Sequence, residues 1–370
     1  MKPPGFDYYR PRTVAEAVEV LGALGPDAKV LAGGQSLVPL LNMRLVAPKA
    51  LVDINRIEDL ATLTVDRAQV RVGALVRHRD VLADPPPGRP NPRDEYLPLL
   101  GEAVRHVAHP TIRNRGTVVG SLAHADPAAE LPAVLLLCDG SVEVVSAVGS
   151  RVVPAAEFFV GPLESALRPG ELAVAATFRC PPARSGSAFV EISRRAADFA
   201  LAGIGLTVTL GADGLISSAR AAYLSVGPTP LLVDLTDAVS GSTVDWSRAA
   251  TLAQSTVEPD DDIHATTAYR RHLVGVLTER AGARALHRAR LAASVEDPAT
   301  VREAASARKA ASVKRVAGSV RKAIDLGEPG GGQPPPKRGP QRGGEVASLR
   351  RLRRAAEELD GQAGEEAVGG

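Results

Sequence analysis

Between residues 31 and 37 the chain reads LAGGQSL, an apolar run broken by two glycines and two polar residues. Glycine takes positive φ without steric cost, so Gly33 and Gly34 permit a sharp turn after a strand. The amides of Gln35 and Ser36 then point outward, forming a concavity of N–H groups suited to anions and especially to phosphate. A plain strand-to-helix turn is the other reading of the glycine pair. A second stretch of the same character, RNRGTVVGSLAHADPAAELP at 113–132, offers Thr117, Gly120 and Ser121 in a small-residue loop after another strand-like run. Asp126 and Glu130 place carboxylates close to that loop. Two such loops can clamp the two ends of a pyrophosphate, and a carboxylate beside them can accept hydrogen bonds from ribityl or ribose hydroxyls. The chemistry suggested is a dinucleotide-cofactor site.

Other chemistries find little support. There is no G-x-G-x-x-G opening a helix, since the GIG at 203–205 runs into a strand pattern. No P-loop and no G-x-S-x-G is present. His106 and His109 lie three apart with His124 nearby, but no carboxylate or thiol follows at ligand spacing, so no metal site is expected. His124 fits a turn or the cofactor pocket, and the Ser193-Arg194-Arg195 run fits a solvated strand end. The two cysteines, Cys138 and Cys180, are too few for a disulfide framework or for an iron–sulfur cluster held by this chain alone. Cys138, within AVLLLC, reads as a core residue.

The elements that must position the two loops follow from periodicity. TVAEAVEVLGAL at 13–24 has Val14, Ala17, Val18 and Leu21 on one helical face, with Thr13 as N-cap and Glu16 at the capping-box position. AKVLAG and KALVDI read as strands on either side of the first loop, with SLVPLLNMRL as a short helical connection. Residues 60–82 alternate as a hairpin turning at DRAQ, and 84–96 form a proline-rich surface loop. AELPAVLLLC is a buried helix stopped by Gly140, and SVEVVS is a strand. From 186 to 233 three strand-like runs follow, then helical stretches near 246–257 and 266–287. The fold class is α+β, with a boundary near PPARSGS at 181–187.

Composition limits the rest. With 45% hydrophobic and 23% charged residues and a net charge of +2, the chain suits a globular protein with no obvious polyanion partner. No segment approaches the ~20 apolar residues of a membrane span or resembles a signal peptide, so a cytoplasmic location without membrane insertion is expected. All the aromatic residues lie between Phe6 and Tyr269. Residues 288–370 carry a small excess of Lys and Arg and include GEPGGGQPPPKRGPQRGG. Such a segment is expected to be a low-complexity, disordered basic tail. Nucleic-acid binding is not favoured, because no aromatics interleave its basic runs.

Three of these motifs, AGGQSLVPLLNMRL, RNRGTVVGSLAHADPAAELPAV and EISRRAADFALAGIG, together with AYRRHLVGVLTERA, resemble the flavoprotein (medium) subunit of the xanthine dehydrogenase and carbon monoxide dehydrogenase family. The resemblance runs in order from Phe6 to His287. It implies a two-part FAD-binding domain of the PCMH (vanillyl-alcohol-oxidase-like) type at 1–178, a small α+β C-terminal domain at 179–287, and the tail at 288–370. In that family an AGG(H/Q)S loop and a T-(I/V)-G-G-(S/N) loop wrap FAD. Carried over, the cofactor-binding residues are Ala32, Gly33, Gly34, Gln35, Ser36 and Leu37, with Thr117, Val118, Gly120 and Ser121. Asp126 stands beside the second loop, Glu130 matches a residue contacting the ribityl chain, and Asp198 and Phe199 match residues packed beside the isoalloxazine. Val119 stands where the family has glycine, which implies extended backbone there or weakened FAD binding.

The implied function is that of the FAD-binding electron-transfer subunit of a molybdenum-containing hydroxylase. Molybdenum cofactor and 2Fe–2S clusters would lie on partner chains, a cysteine-rich small subunit and a molybdenum-binding large one. Electrons would pass from the clusters through FAD to a terminal acceptor. No acid–base residue is assigned as catalytic, because the cofactor carries the chemistry. A freestanding FAD-dependent oxidase or reductase, and more remotely a non-redox protein with a nucleic-acid-binding tail, are the alternatives.

Overall fold

The computed structural model describes residues 2–83, 96–241 and 243–296. The expected proline-rich loop and nearly all of the expected tail lie outside them. The expected N-cap of the first helix forms, but the reciprocal bond of a capping box does not, since Glu16 reaches one residue further back. α1 (Val14–Leu24) starts at Thr13, whose side chain accepts from the Glu16 amide, while Glu16 accepts from the Arg12 amide at 2.7 Å. Its Ala17, Val18 and Leu21 are buried. They pack toward a three-stranded parallel sheet of β1 (Asp7–Tyr9), β2 (Ala28–Leu31) and β3 (Ala50–Asp53), with β3 in the centre. The first glycine loop leaves β2 and enters the short helix α2 (Leu37–Asn42).

A second sheet is antiparallel and five-stranded. The hairpin of β4 (Leu63–Val65) and β5 (Gln69–Gly73) buries Val70 and Val72, as its alternation requires. β6 (Ser141–Ser146), β7 (Gly149–Pro154), the small pair β8 (Phe159–Gly161) and β9 (Glu164–Ser165), and β10 (Leu172–Arg179) follow. The order is β4-β5-β10-β6-β7, with β8 and β9 paired separately. Between β5 and β6 the chain forms α3 (His78–Leu82), α4 (Pro98–His106), α5 (Pro110–Arg113), α6 (Val118–His124) and α7 (Glu130–Leu137). α7 is apolar all round, and every residue from Leu131 to Leu137 is buried. That suits a helix enclosed by α4 on one side and the next sheet on the other.

The third sheet is an antiparallel meander of β11 (Ser185–Ser193), β12 (Ala200–Leu210), β13 (Ile216–Leu224) and β14 (Leu231–Asp234). Its other face carries a separate core with residues of α11 (Thr267–Glu296), joined by the shorter α10 (Trp246–Thr256). Two further short helices, α8 (Ala155–Phe158) and α9 (Thr236–Val239), fill connections. The composition-based start of the tail needs correction. Residues 288–296 are the last turns of α11, where Ala289 is fully buried and Arg288 reaches Glu102 at 2.6 Å. A helix needs only alanine, not aromatics, to pack closely on a sheet, which a composition argument overlooks.

Candidate functional site

Gly34 has φ +73°, so the turn after β2 uses the left-handed freedom expected of it. Gly33 serves a different purpose from the one its sequence suggested. A Cβ there would stand 2.4 Å from the Arg115 carbonyl oxygen and 2.8 Å from the Gly116 Cα. Its bare Cα therefore lets the second glycine-containing segment close against the first. Among the described residues, the amides of Gly33, Gly34, Gln35, Ser36 and Leu37 donate to no protein acceptor. Five consecutive free N–H groups at a turn are a ready anion cradle.

The second segment differs from expectation. It follows the helix α5 rather than a strand, and Thr117 is the N-cap of α6, its hydroxyl accepting from the Gly120 amide at 3.0 Å. Thr117 is held by an isolated antiparallel bridge to Arg77, the His78 amide donates to the Gly116 carbonyl at 3.0 Å, and the Val118 amide to Val76 at 3.2 Å. Val118 and Val119 are helical and 0% and 2% exposed. Val119 thus has neither extended nor positive-φ backbone. Its side chain faces the core, and the Val118 amide is taken by Val76, so neither residue is open to a ligand. The helical start was masked in the sequence by two β-branched residues, which read as strand or loop.

An open cleft of about 420 Å³ lies beside the first segment; of the second region only Arg115 reaches it, and Thr117, Val118, Gly120 and Ser121 do not line it. Ala32, Gly33, Gly34 and Gln35 line it, with Tyr8, Asp53, Asn55 and Arg115 among the other walls. Those four were missed from sequence, although RNRG and VDIN place charge directly beside the two loops. They form one network. The Tyr8 hydroxyl donates to Asp53 Oδ2, the Asn55 amide nitrogen donates to Asp53 at 2.6 Å and to the Ala32 carbonyl at 2.9 Å, and Arg77 donates to both Asn55 and the Arg115 carbonyl. Burial opposes ionisation of Asp53, but the hydrogen bonds from Tyr8 and Asn55 outweigh it and hold the carboxyl below its ordinary value. His78, 4% exposed beneath the second segment, has no hydrogen-bond partner on either ring nitrogen. Burial pulls its pKa down to about 4.

The remaining expected residues lie apart from this cleft. Asp126 closes the turn before α7 by accepting from the Ala128 amide at 2.8 Å. Glu130 opens α7 beside His106 and Glu191 rather than beside Arg115. Asp198 and Phe199 sit in the turn between β11 and β12, where Phe199 is 73% exposed. Cys138 is buried, and burial pushes its thiol up to about 12. Among the described residues no three His, Cys, Asp or Glu side chains stand close enough to share a metal, and no helix is long and apolar enough to cross a membrane.

The family model for the FAD binding domain in molybdopterin dehydrogenase matches residues 4–178, and that for the CO dehydrogenase flavoprotein C-terminal domain matches 187–285. The chain belongs to the flavoprotein medium-subunit family of the molybdopterin dehydrogenases. It is therefore an oxidoreductase subunit with an FAD-binding domain. Among its relatives is the alpha subunit of the 6-hydroxypseudooxynicotine dehydrogenase complex of Paenarthrobacter nicotinovorans, 42% identical over 78% of this chain and 97% of that one. The carbon monoxide dehydrogenase medium chain of Afipia carboxidovorans is 32% identical, over 78% of this chain and 100% of its own length. Among solved structures, a carbon monoxide dehydrogenase from Hydrogenophaga pseudoflava superposes with a TM-score of 0.72 at 34% identity, over 78% of this chain and 99% of that one. The quinoline 2-oxidoreductase of Pseudomonas putida 86 gives the same TM-score and identity. The medium-subunit fold matches the expected α+β class with its FAD-binding and C-terminal parts.

Proposed function

We propose that this flavoprotein holds FAD with its pyrophosphate at the Ala32–Leu37 segment, braced by the Thr117–Ser121 segment through Arg115 and Gly116. The observation that carries the reading is the row of unpartnered amides from Gly33 to Leu37, closed against the Arg115–Gly116 backbone. The residues fit the group: Gly33 and Gly34 bring main chain close, and Arg115 is a cationic residue of the cleft lining. Tyr8, Asp53, Asn55 and Arg77 keep the two segments in register. Glu130, Asp198 and Phe199 are assigned to the ribityl and ring end of the cofactor, an assignment carried by their match to the family motif, while Asp126 is included only for its place beside the second segment.

When bound, FAD supplies a centre that takes electrons singly and gives them up in pairs. The chain's own residues bind it, orient it and tune its surroundings. In the assembled enzyme the chain would take electrons from the 2Fe–2S clusters of a small partner subunit, while a large subunit with molybdenum cofactor oxidises the substrate. Two cysteines in the whole chain leave no means of holding such clusters itself. A cytoplasmic location accompanies this reading. Affinity purification of the tagged chain from its native cell, with metal analysis and a visible spectrum, tests it. The expected result is a cysteine-rich partner, iron, molybdenum and flavin absorbance. A flavin-containing chain purified alone and fully active would overturn the subunit reading.

A further inference from the structure

The turn that carries Asp198 and Phe199 runs directly into a break in the sheet. Ile192 of β11 faces Ala202 of β12, but Ser193 faces Ala200, so Leu201 is an extra residue, a β-bulge. The neighbouring ladder between β12 and β13 stops at Gly203 and Leu224. The next residue, Ser225, is buried and has φ +61°, a conformation that favours glycine. Its polar groups go three ways. The hydroxyl donates to the Ala200 carbonyl at 2.7 Å, and the amide donates to the Pro127 carbonyl at 2.9 Å. The Ser225 carbonyl accepts from Arg270 Nη1 at 2.8 Å, and the same nitrogen donates to the carbonyl of the bulged Leu201 at 3.1 Å.

Arg270 comes from the start of α11 and is itself buried. Its Nη2 donates to Asp262 Oδ2 at 2.5 Å, and that carboxylate also accepts from the His264 and Ala265 amides at 2.8 and 2.9 Å. Arg270 Nε is buried with no hydrogen-bond partner. A buried guanidinium with a donor unspent is costly, and an apolar side chain would fill the same place without that cost. What only the planar fork supplies is a simultaneous hold on a carboxylate and on two carbonyls from different strands. Pro127 lies in the turn that Asp126 closes, three residues before Glu130. One unbroken set of hydrogen bonds thus joins the end of the Asp198–Phe199 turn to the Asp126–Glu130 turn.

We propose that Arg270 and Ser225 are positioning residues for the ring end of the FAD site, locking the Asp198–Phe199 turn to the Asp126–Glu130 turn. This rests on the assignment of Glu130, Asp198 and Phe199 to that end of the cofactor. The two turns come from the two parts of the chain matched by separate family models, so the lock is also how the C-terminal part contributes to the site. Arg270 acts through main chain, at Leu201 and Ser225, and Ser225 acts through Ala200 and Pro127.

The test uses full-length variants saturated with FAD and reads the visible circular dichroism of the bound flavin beside its dissociation constant. Ser225→Gly keeps the left-handed backbone at no steric cost and loses the bond to Ala200. Arg270→Lys keeps the charge beside Asp262 but not the fork. Thr278→Val is the control, because it breaks a buried 2.8 Å hydrogen bond to Tyr223 in the same α11–β13 core without touching either turn. Ser225→Gly and Arg270→Lys should each change the flavin dichroism and weaken FAD binding about tenfold. Thr278→Val should lower the melting temperature and leave both flavin readouts at their wild-type values. Wild-type dichroism and affinity in folded Ser225→Gly, or the same change in Thr278→Val, would overturn the lock, and Ser225→Gly decides alone if Arg270→Lys does not fold. Failure of the wild-type chain to bind FAD would overturn the proposed function, and the lock with it.

Discussion

At Gly33 a single missing Cβ governs how the two glycine-containing segments meet. Gly33→Val places methyl groups into the Arg115–Gly116 backbone and costs on the order of 1–3 kcal/mol of stability. It should also abolish flavin retention, by parting the segments rather than by blocking the phosphate alone. Thermal melting and flavin content of the purified variant check both effects; a stable variant with full flavin would contradict them. Val119 behaves oppositely, being a helical core residue with no main-chain strain to relieve. Val119→Gly should therefore lower stability by about 1–3 kcal/mol, from lost packing and helix propensity, and leave the FAD dissociation constant unchanged. His78 gives a pH signature. Its imidazole titrates near 6.5 when unfolded and near 4 in the folded chain, so the unfolded state binds more protons between those values. Stability should thus fall as the pH drops through that window, by about 3 kcal/mol at its acid end. Denaturant melts of wild type and His78→Gln at several pH values should show this extra acid sensitivity only in the wild type.

Among the elements, those with a strong local signal were legible in the sequence, and those set by tertiary contact were not. α1 could be read because Thr13, Glu16 and the apolar face agree with one another. The β4–β5 hairpin could be read from its alternation, and α7 from its unbroken apolar run. α6 could not, since TVVGS has β-branched residues in its first turn and is helical only because Thr117 caps it and the 76–78 segment holds it. The continuation of α11 past Arg288 was hidden too, because alanines packed on a sheet leave no aromatic signal. A truncation series tests that element. A chain ending at Glu296 should keep the wild-type melting temperature, whereas one ending at Arg284 loses the buried Ala285, Leu286 and Ala289 and should melt several degrees lower. Equal melting temperatures for the two would show that the end of α11 contributes nothing to the body.

For the molecule as a whole, the sequence singled out two glycine-containing segments but not the other residues that line the cleft beside the first. Tyr8, Asp53, Asn55 and Arg115 come from different strands and loops, and no spacing rule links residues that only the three-dimensional fold brings together. Arg115 offers the most direct test, because its charge lines the cleft and belongs to the central claim that the cofactor's pyrophosphate lies there. The measurement is a titration of the flavin-free chain with FAD, followed by flavin fluorescence, beside Arg115→Glu. One FAD per wild-type chain is predicted, releasable by acid because no covalent link is made, with binding at least about tenfold weaker in the charge-reversed variant. Undiminished FAD affinity in a folded Arg115→Glu chain, or no FAD binding by the wild type, would contradict the account.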